Sequence, residues 1–430
     1  MRKIRTRLAP SPTGLLHVGN ARAGIFNFLF AKKNDGEFIL RIEDTDIERS
    51  RKEYEENAKE ALLWLGLNWD EFYRQSDRKE IYLRHIKRLL GNGSAYVSKE
   101  EKGSVIRLKN PGTIISFNDL IRGKIEVDTK DLGDFVIAKN EETPIYHLAA
   151  VIDDALMNIT HVIRGEDHIS NTPRQILIQQ ALRCPTPKYA HLPLILAHDR
   201  SKLSKREGGE ALSDYKKMGY PPEAVFNFLA LLGWHPAPEQ SSVRGRPLER
   251  EIFSKEELIE QFSLERVQKG GAIFDKGKLD WISKEYIKKL EEKDFLEKLT
   301  PFVPEEWGRE NMAGAARLFK DRISKFSDFK REAKFIFELD DYDTGLLIWK
   351  NASMEDTKKH LEKVYELVSS GGDVMAYADE VGRGEVLWPL RVALSGLKNS
   401  PGPFEIMEVL EKKESLARIK KAIALISWVG

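Results

Sequence analysis

Two short segments concentrate residue types suited to phosphate chemistry. His17-Val18-Gly19-Asn20 stands directly before a helix-like apolar stretch, so it brings an imidazole and backbone N–H groups to a helix N-terminus, where anions are favoured. A nucleotide phosphate suits such a place. The segment is neither the G-x-G-x-x-G dinucleotide pattern nor a P-loop, since no Gly-Lys-Ser/Thr follows its glycines. Taken alone, a loop histidine is more often a surface or capping residue. The second segment, Ser201-Lys202-Leu203-Ser204-Lys205-Arg206, precedes Gly208-Gly209 and holds three cations in a stretch able to move. Lysines there can hold the β- and γ-phosphates as charge develops during nucleotidyl transfer, with no covalent nucleophile. A solvated basic turn is the commoner explanation of a Lys-Ser-Lys stretch. Both segments occur in order, one in each half of a split α/β pattern, and that argues for a shared site.

The elements that must position them follow from periodicity. Residues 4–9 predict a short buried strand, Pro10, Pro12 and Gly14 force an irregular loop, and Ala21 to Ala31 predict a helix. A second strand is expected at Glu37–Glu43. Tyr54, Ala58, Ala61, Leu62 and Leu65 then fall at helical spacing before Gly66, a C′ residue. From Gly93 to about Tyr146 the pattern changes to short β-rich pieces (SVIRLK, GKIEVD, DFVIAK), which predict an insertion. The α/β rhythm resumes with a strand at Asn158–Arg164, Thr172 and Pro173 as N-cap and first helical residue, a helix to about Arg183, and a strand at His191–Leu196. HPAPEQSSVRGRP after Trp234 reads as a linker, and from Phe253 onward nearly every segment has helical periodicity.

Bulk properties narrow the class. A chain of 430 residues holds more than one domain of ordinary size, and 69 Lys plus Arg against 68 Asp plus Glu neither demands nor excludes a nucleic-acid partner. Locally, Arg317, Lys320, Arg322, Lys325, Lys330, Arg331 and Lys334 face only Asp321, Asp328 and Glu332, a basic surface of the kind that is more often merely solvated. Cys184 is the one cysteine, which excludes an intrachain disulfide framework and a zinc site of several thiolates. No run of about eighteen apolar residues occurs, so no membrane span is expected. The expected location is the cytoplasm.

APSPTGLLHVG, FILRIEDTD and KLSKR resemble the signature segments of class I glutamyl-tRNA synthetases of the bacterial type. Longer stretches extend the resemblance over almost the whole chain: YHLAAVIDDALMNITHVIRGEDHISNTP, FSLERVQKGGAIFDKGKLDWISKEYI and LWPLRVALSGLKNSPGPFEIMEVL. The resemblance implies an α/β, Rossmann-like catalytic domain (1–92 and 146–245) split by a small α+β acceptor-binding insertion (93–145). A stem-contact region (246–300) and an all-helical anticodon-binding region (301–430) follow. The implied reaction is ATP-dependent activation of L-glutamate and its transfer to the 2′-hydroxyl at the end of a glutamate-accepting tRNA.

Residue by residue, the resemblance implies that His17, Gly19 and Asn20 meet ATP, while Lys202, Ser204, Lys205 and Arg206 close over its triphosphate. Catalysis falls to His17, Asn20, Lys202 and Lys205. Ser11 and Glu43 would hold the ammonium of glutamate and Arg7 and Arg164 its carboxylates, with Ala9 and Tyr146 beside them. Elementary chemistry agrees, since a dicarboxylate needs cationic partners and a guanidinium meets a carboxylate with two parallel hydrogen bonds. Considered singly, each arginine would read better as a structural ion pair. Magnesium is expected on the ATP phosphates, no zinc is expected, and the enzyme is expected to work as a monomer.

Two departures and one match stand out. The insertion is shortened, because Ala95-Tyr96-Val97-Ser98 runs almost at once into Ser104–Leu108. Ala150 takes a place where some members present an amide. Arg322 matches an arginine that reads the third anticodon base, which leans toward discrimination against glutamine tRNA. A misacylating enzyme that charges glutamine tRNA with glutamate remains an alternative, as does a non-catalytic tRNA-binding paralogue. A queuosine-glutamylating relative would lack residues 301–430, and glutaminyl-tRNA synthetase would carry β-barrels there.

Overall fold

A computed structural model describes residues 2–46, 48–101, 103–201, 203, 210–237, 242–243, 246–247, 250–307 and 309–429. The chain divides into two compact units, Met1–Ile282 and Ser283–Gly430. In the first unit β1 (Arg5–Leu8), α1 (Val18–Lys33), β2 (Glu37–Ile42), α2 (Lys52–Trp64), β3 (Glu71–Arg74) and α3 (Lys79–Gly91) form the first α/β half. The insertion carries β4 (Ala95–Glu100), β5 (Gly103–Leu108), β6 (Ile114–Asp119), β7 (Gly123–Asp128), β8 (Phe135–Asn140) and β9 (Thr143–Pro144). The second half holds α4 (Tyr146–Leu156), β10 (His161–Gly165), α5 (Thr172–Leu182), β11 (Lys188–Leu192), β12 (Ile195–Leu196), α6 (Leu212–Met218) and α7 (Pro222–Leu231).

Strands β1, β2 and β3 pair in parallel in that order, and β10 pairs in parallel with β11. Thr160 N donates to Arg5 O at 3.0 Å, which sets β10 beside β1. The chain therefore leaves β1 toward one side of the sheet and β10 toward the other. A crevice opens outside the carboxyl ends of strands at such a reversal, and ligands of α/β sheets bind there. Asn27 of α1 fastens the two halves: its Nδ2 donates to Ile163 O at 2.9 Å, and its backbone carbonyl accepts from Thr6 Oγ1 at 2.9 Å. Helix α1 is buried on nearly every face through Val18, Ala21, Ile25, Phe26 and Leu29, so its N-terminus is fixed against the crevice.

The insertion is β-rich, and a short 3-10 turn at Thr129–Leu132 is its helical content among the described residues. Strands β4, β5, β8 and β9 form an antiparallel sheet whose Ile106, Leu108, Ile137 and Ala138 join Ile86, Leu89, Leu148 and Ile152 in one core. Truncating one of these, Leu148→Ala for example, would cost about 2–5 kcal/mol. The β6–β7 hairpin instead adds to the catalytic sheet, with Asp119 opposite Tyr189 of β11.

Several local expectations need correction. The strand expected from Asn158 starts at His161, because Asn158 sits at φ 55°, inside the preceding turn. Asn171, not Thr172, is the N-cap of α5, since a 3-10 turn over Glu166–Asn171 runs directly into the helix. The apolar run at His191–Leu196 is two strands in different sheets, divided at Pro193, which cannot donate to a ladder. Residues 238–241, 244 and 245 of the expected linker after Trp234 lie outside the described residues.

The second unit holds no strand among its described residues. Its helices include Glu292–Leu299, Arg309–Phe319, Asp328–Phe337, Met354–Ser370, Val374–Val381, Arg383–Ser395 and Pro403–Val429, the last broken at Glu411. Phe295, Phe319, Phe329, Leu390 and Ile406 make its centre. Helix ends follow side-chain chemistry: Ser353 and Asp373 accept from backbone N–H groups, and Gly371 closes a helix at φ 80°. No described helix is long and apolar enough to cross a membrane.

Candidate active site

A cavity of about 790 Å³ opens at the sheet reversal and is lined by Arg7, Ala9, Ser11, His17, Asn20, Glu43, Tyr146 and Arg164, among others. It thus gathers residues far apart in sequence. Arg7 approaches the carboxyl end of β1, Arg164 that of β10, and Glu43 directly follows β2.

One end of this cavity rests on buried charge. Arg7 Nε donates to Asp154 Oδ1 at 3.1 Å. Arg41, fully buried, donates to the same oxygen at 2.6 Å and to Glu43 Oε1 at 2.8 Å. Asp153, the preceding residue of α4, accepts from Arg78 at 2.7 Å, Gln75 at 2.9 Å and the Tyr82 hydroxyl at 2.7 Å. Three arginines thus meet three acids in a linked network, the arrangement a buried charge requires. Burial raises the Glu43 carboxyl above its ordinary pKa, with the Arg41 guanidinium opposing. Burial pushes Asp154 upward too, yet the Arg7 and Arg41 guanidiniums leave it below the ordinary value.

Arg164 differs from the others. It is 7% exposed, and its partners are neutral: His191 Nε2 at 3.2 Å, Thr172 Oγ1 at 2.8 Å and His168 O at 3.4 Å. Its Nη1 is buried and has no hydrogen-bond partner among the described residues. A buried guanidinium so arranged has capacity for an anion. Tyr146 and His168 stand beside it, with the Tyr146 hydroxyl 3.3 Å from His168 Nδ1. Burial, with Arg164 adding to it, lowers His168 to about 4, and burial raises Tyr146. Both are neutral near pH 7.

At the other end His17 is the N-cap of α1, accepting from Gly19 N at 3.1 Å through Nδ1. A Cβ at Gly19 would come within 2.9 Å of His17 Cε1, so any side chain there would displace the imidazole. His17 and Ser11 are exposed and Asn20 half-buried. An adjoining crevice is lined by His17, Gly19 and Asn20 together with Leu203, Glu210 and Ala211. Ala211 bridges to His17, and Leu212 N donates to Leu16 O at 2.8 Å. The near flanks of the basic segment therefore border the helix N-terminus. Lys202, Ser204, Lys205 and Arg206 lie outside the described residues.

Sequence reasoning missed Arg41, Asp153, Asp154, Thr172 and His191. A signal existed for three of them: Arg41 interrupts the apolar strand FILRI, and Asp153-Asp154 interrupt the apolar helix LAAVIDDAL, so each had to find a buried partner. Ala150 is buried and does not line the cavity. In the second unit, Arg322 is exposed and 3.9 Å from Glu405. Its basic neighbours pair with acids as well, Arg317 with Glu292, Lys325 with Asp328 and Lys334 with Asp340. Such surface pairs are worth about 0–1 kcal/mol and give way readily to another anion.

With this geometry in view, comparisons with known proteins are informative. The family model described as class I tRNA synthetases (E and Q), catalytic domain, matches residues 3–104 and 97–281. The two matches meet at 97–104, where the insertion is short. An anticodon binding domain model matches residues 294–423. The chain is 41% identical to a glutamate–tRNA ligase of Aquifex aeolicus over 99% of its length and 100% of the relative's. It is 40% identical to one of a Sulfurihydrogenibium species, over 94% and 96%. A crystal structure of a glutamate tRNA ligase from Elizabethkingia meningosepticum in complex with its amino acid superposes with a TM-score of 0.86 at 32% identity, covering 99% of this chain and all of that one.

Proposed function

The chain belongs to the class I tRNA synthetases of glutamate and glutamine, and from that premise we propose how its residues join L-glutamate to tRNA at the expense of ATP. The glutamate carboxylate attacks the α-phosphate of ATP, giving glutamyl-adenylate and releasing pyrophosphate. The 2′-hydroxyl of the terminal adenosine then attacks the adenylate carbonyl, and AMP leaves.

The observation that carries the residue assignment is Arg164, a buried guanidinium of the cavity lining with neutral partners and an unpartnered Nη1. It takes one substrate carboxylate. Arg7 shares in this role while Asp154 holds it, and Glu43, held by Arg41, meets the ammonium together with Ser11. Ala9 and Tyr146 bound the side chain. His17, Gly19 and Asn20 receive the nucleotide at the α1 N-terminus, where backbone N–H groups and the helix dipole favour phosphate. Lys202, Ser204, Lys205 and Arg206 close on the β- and γ-phosphates as charge develops there. Magnesium enters on the ATP phosphates; no group of three or more His, Cys, Asp or Glu among the described residues could hold a metal of its own.

The helical second unit fits glutamate-type anticodon reading and not the β-barrels of glutaminyl-tRNA synthetase. Arg322 reads the third anticodon base, which favours glutamate tRNA over glutamine tRNA. ATP-dependent attachment of labelled glutamate to glutamate and glutamine tRNA transcripts, side by side, tests this reading. Charging of the glutamate tRNA alone is expected. Equal charging of both would remove discrimination from Arg322, and charging of neither would overturn the activity.

A further inference from the structure

Arg164 is held by a chain of hydrogen bonds that starts in the insertion. Asp119 closes β6, and its Oδ1 accepts from Ile121 N at 3.0 Å and Arg122 N at 2.8 Å. Its Oδ2 lies 3.1 Å from His191 N and 2.7 Å from His191 Nδ1. On the far side of the imidazole, Nε2 lies 3.2 Å from Arg164 Nε and 3.2 Å from Thr172 Oγ1. A guanidinium only donates, so Nε2 must present its lone pair, and the ring proton must sit on Nδ1, facing Asp119. Nothing lets the ring turn away: His191 and Thr172 are fully buried, Asp119 nearly so, and His191 stacks on Tyr189, over whose ring the Arg164 guanidinium also sits.

The same turn docks the insertion on the catalytic half. Arg122 binds the Glu166 carboxylate and donates to Lys269 O at 2.7 Å, and Glu166 accepts from Leu194 N at 2.7 Å. Residues 119–122 are therefore tied to the strand and loops around Arg164.

We propose that Asp119, carried by the insertion, is a positioning residue for glutamate binding: it fixes the tautomer of His191, and the bare Nε2 aims the Arg164 guanidinium at the substrate carboxylate. Burial is the leading reason His191 is neutral, its pKa lowered despite the opposing effect of Asp119. This inference rests on Arg164 as the carboxylate ligand.

Asp119→Asn isolates the effect with almost no change of shape. The amide must keep its oxygen toward the two turn N–H groups, so its NH2 takes the place of Oδ2 and donates to His191 Nδ1. The ring proton then moves to Nε2, where Thr172 Oγ1 at 3.2 Å accepts it, and Arg164 Nε–H loses its acceptor. The expected result in pyrophosphate exchange with tRNA present is a KM for glutamate raised about tenfold or more. The KM for ATP and the turnover number should stay within about twofold, a split that loss of folded enzyme does not produce. A ¹⁵N-histidine spectrum of the full chain, with the His191 signals assigned by their loss in His191→Phe, should show the proton moved from Nδ1 to Nε2.

His191→Phe removes the acceptor and should raise the same KM, and the double variant should be no worse than His191→Phe alone, because both act through one ring. A glutamate KM unchanged in Asp119→Asn, or additive effects in the double variant, would overturn the proposal. Should Asp119→Asn not fold, an unchanged glutamate KM in His191→Phe overturns it. Arg164→Ala separates the two levels. If it leaves the glutamate KM unchanged, the carboxylate assignment itself falls; if it raises that KM while Asp119→Asn does not, only the positioning role falls.

Discussion

The two ends of the cavity are built on opposite principles. At the end proposed for the amino acid, Arg7, Arg41, Glu43 and Asp154 are buried and joined by direct hydrogen bonds, and Arg164 is wedged among neutral partners. At the end proposed for the nucleotide, His17 is exposed, Asn20 is half-buried, and the fixed elements are a helix N-terminus and the flanks of a basic segment. The difference teaches how one site separates selection from chemistry. A rigid, desolvated charge pattern discriminates among small zwitterions, because a wrong ligand leaves a buried charge unpaired. Stabilising charge that develops only in the transition state calls for cations engaged at that moment.

This contrast breaks first at Arg164. Arg164→Ala should lower kcat/KM for glutamate about 10³-fold, equivalent to about 4 kcal/mol, through KM, while the KM for ATP hardly changes. Steady-state exchange kinetics check this, and a fall confined to kcat would place Arg164 at the nucleotide end. Lys205→Ala should do the converse, slowing adenylate formation about 10²-fold with glutamate binding nearly intact. Single-turnover measurements give the rate, and an unchanged one would remove Lys205 from catalysis.

Proton dependence sharpens the same comparison. In its proposed role Glu43 must be anionic to hold the ammonium, and burial raises its pKa, so protonation should remove glutamate affinity at a higher pH than for an ordinary carboxylate. His168, lowered to about 4, stays neutral well below pH 6. The KM for glutamate should therefore rise as pH falls, beginning at a higher pH than for an ordinary carboxylate, without a matching rise in the KM for ATP. A glutamate KM that stays constant as pH falls through the carboxylate range would remove Glu43 from ammonium binding. The smallest effect is expected outside the cavity: Arg322→Ala should weaken preference for glutamate tRNA over glutamine tRNA only several-fold, about 1 kcal/mol. Competitive charging of the two transcripts reads it, and an unchanged ratio would free Arg322 of that role.

Much of this arrangement was legible in the sequence. Pro10, Pro12 and Gly14 marked the loop between β1 and α1, and the helical periodicity after Phe253 foretold an all-helical second unit. Family resemblance picked out Arg7, Glu43 and Arg164, which the fold brings to one cavity wall. What stayed hidden is through-space pairing. Arg41 and Asp154 are 113 positions apart, and His191 lies 72 from Asp119, so no local pattern links them. The division of His191–Leu196 was missed for a different reason: apolar content outweighed Pro193, which decides where a strand can pair.

The most direct test of the division between the two ends is exchange of pyrophosphate into ATP with tRNA present, measured across glutamate concentrations for the parent, Arg164→Ala and Lys205→Ala enzymes together. The account predicts that Arg164→Ala moves the KM for glutamate and that Lys205→Ala moves only kcat. Loss of kcat alone in both variants, with the KM for glutamate constant, would contradict it.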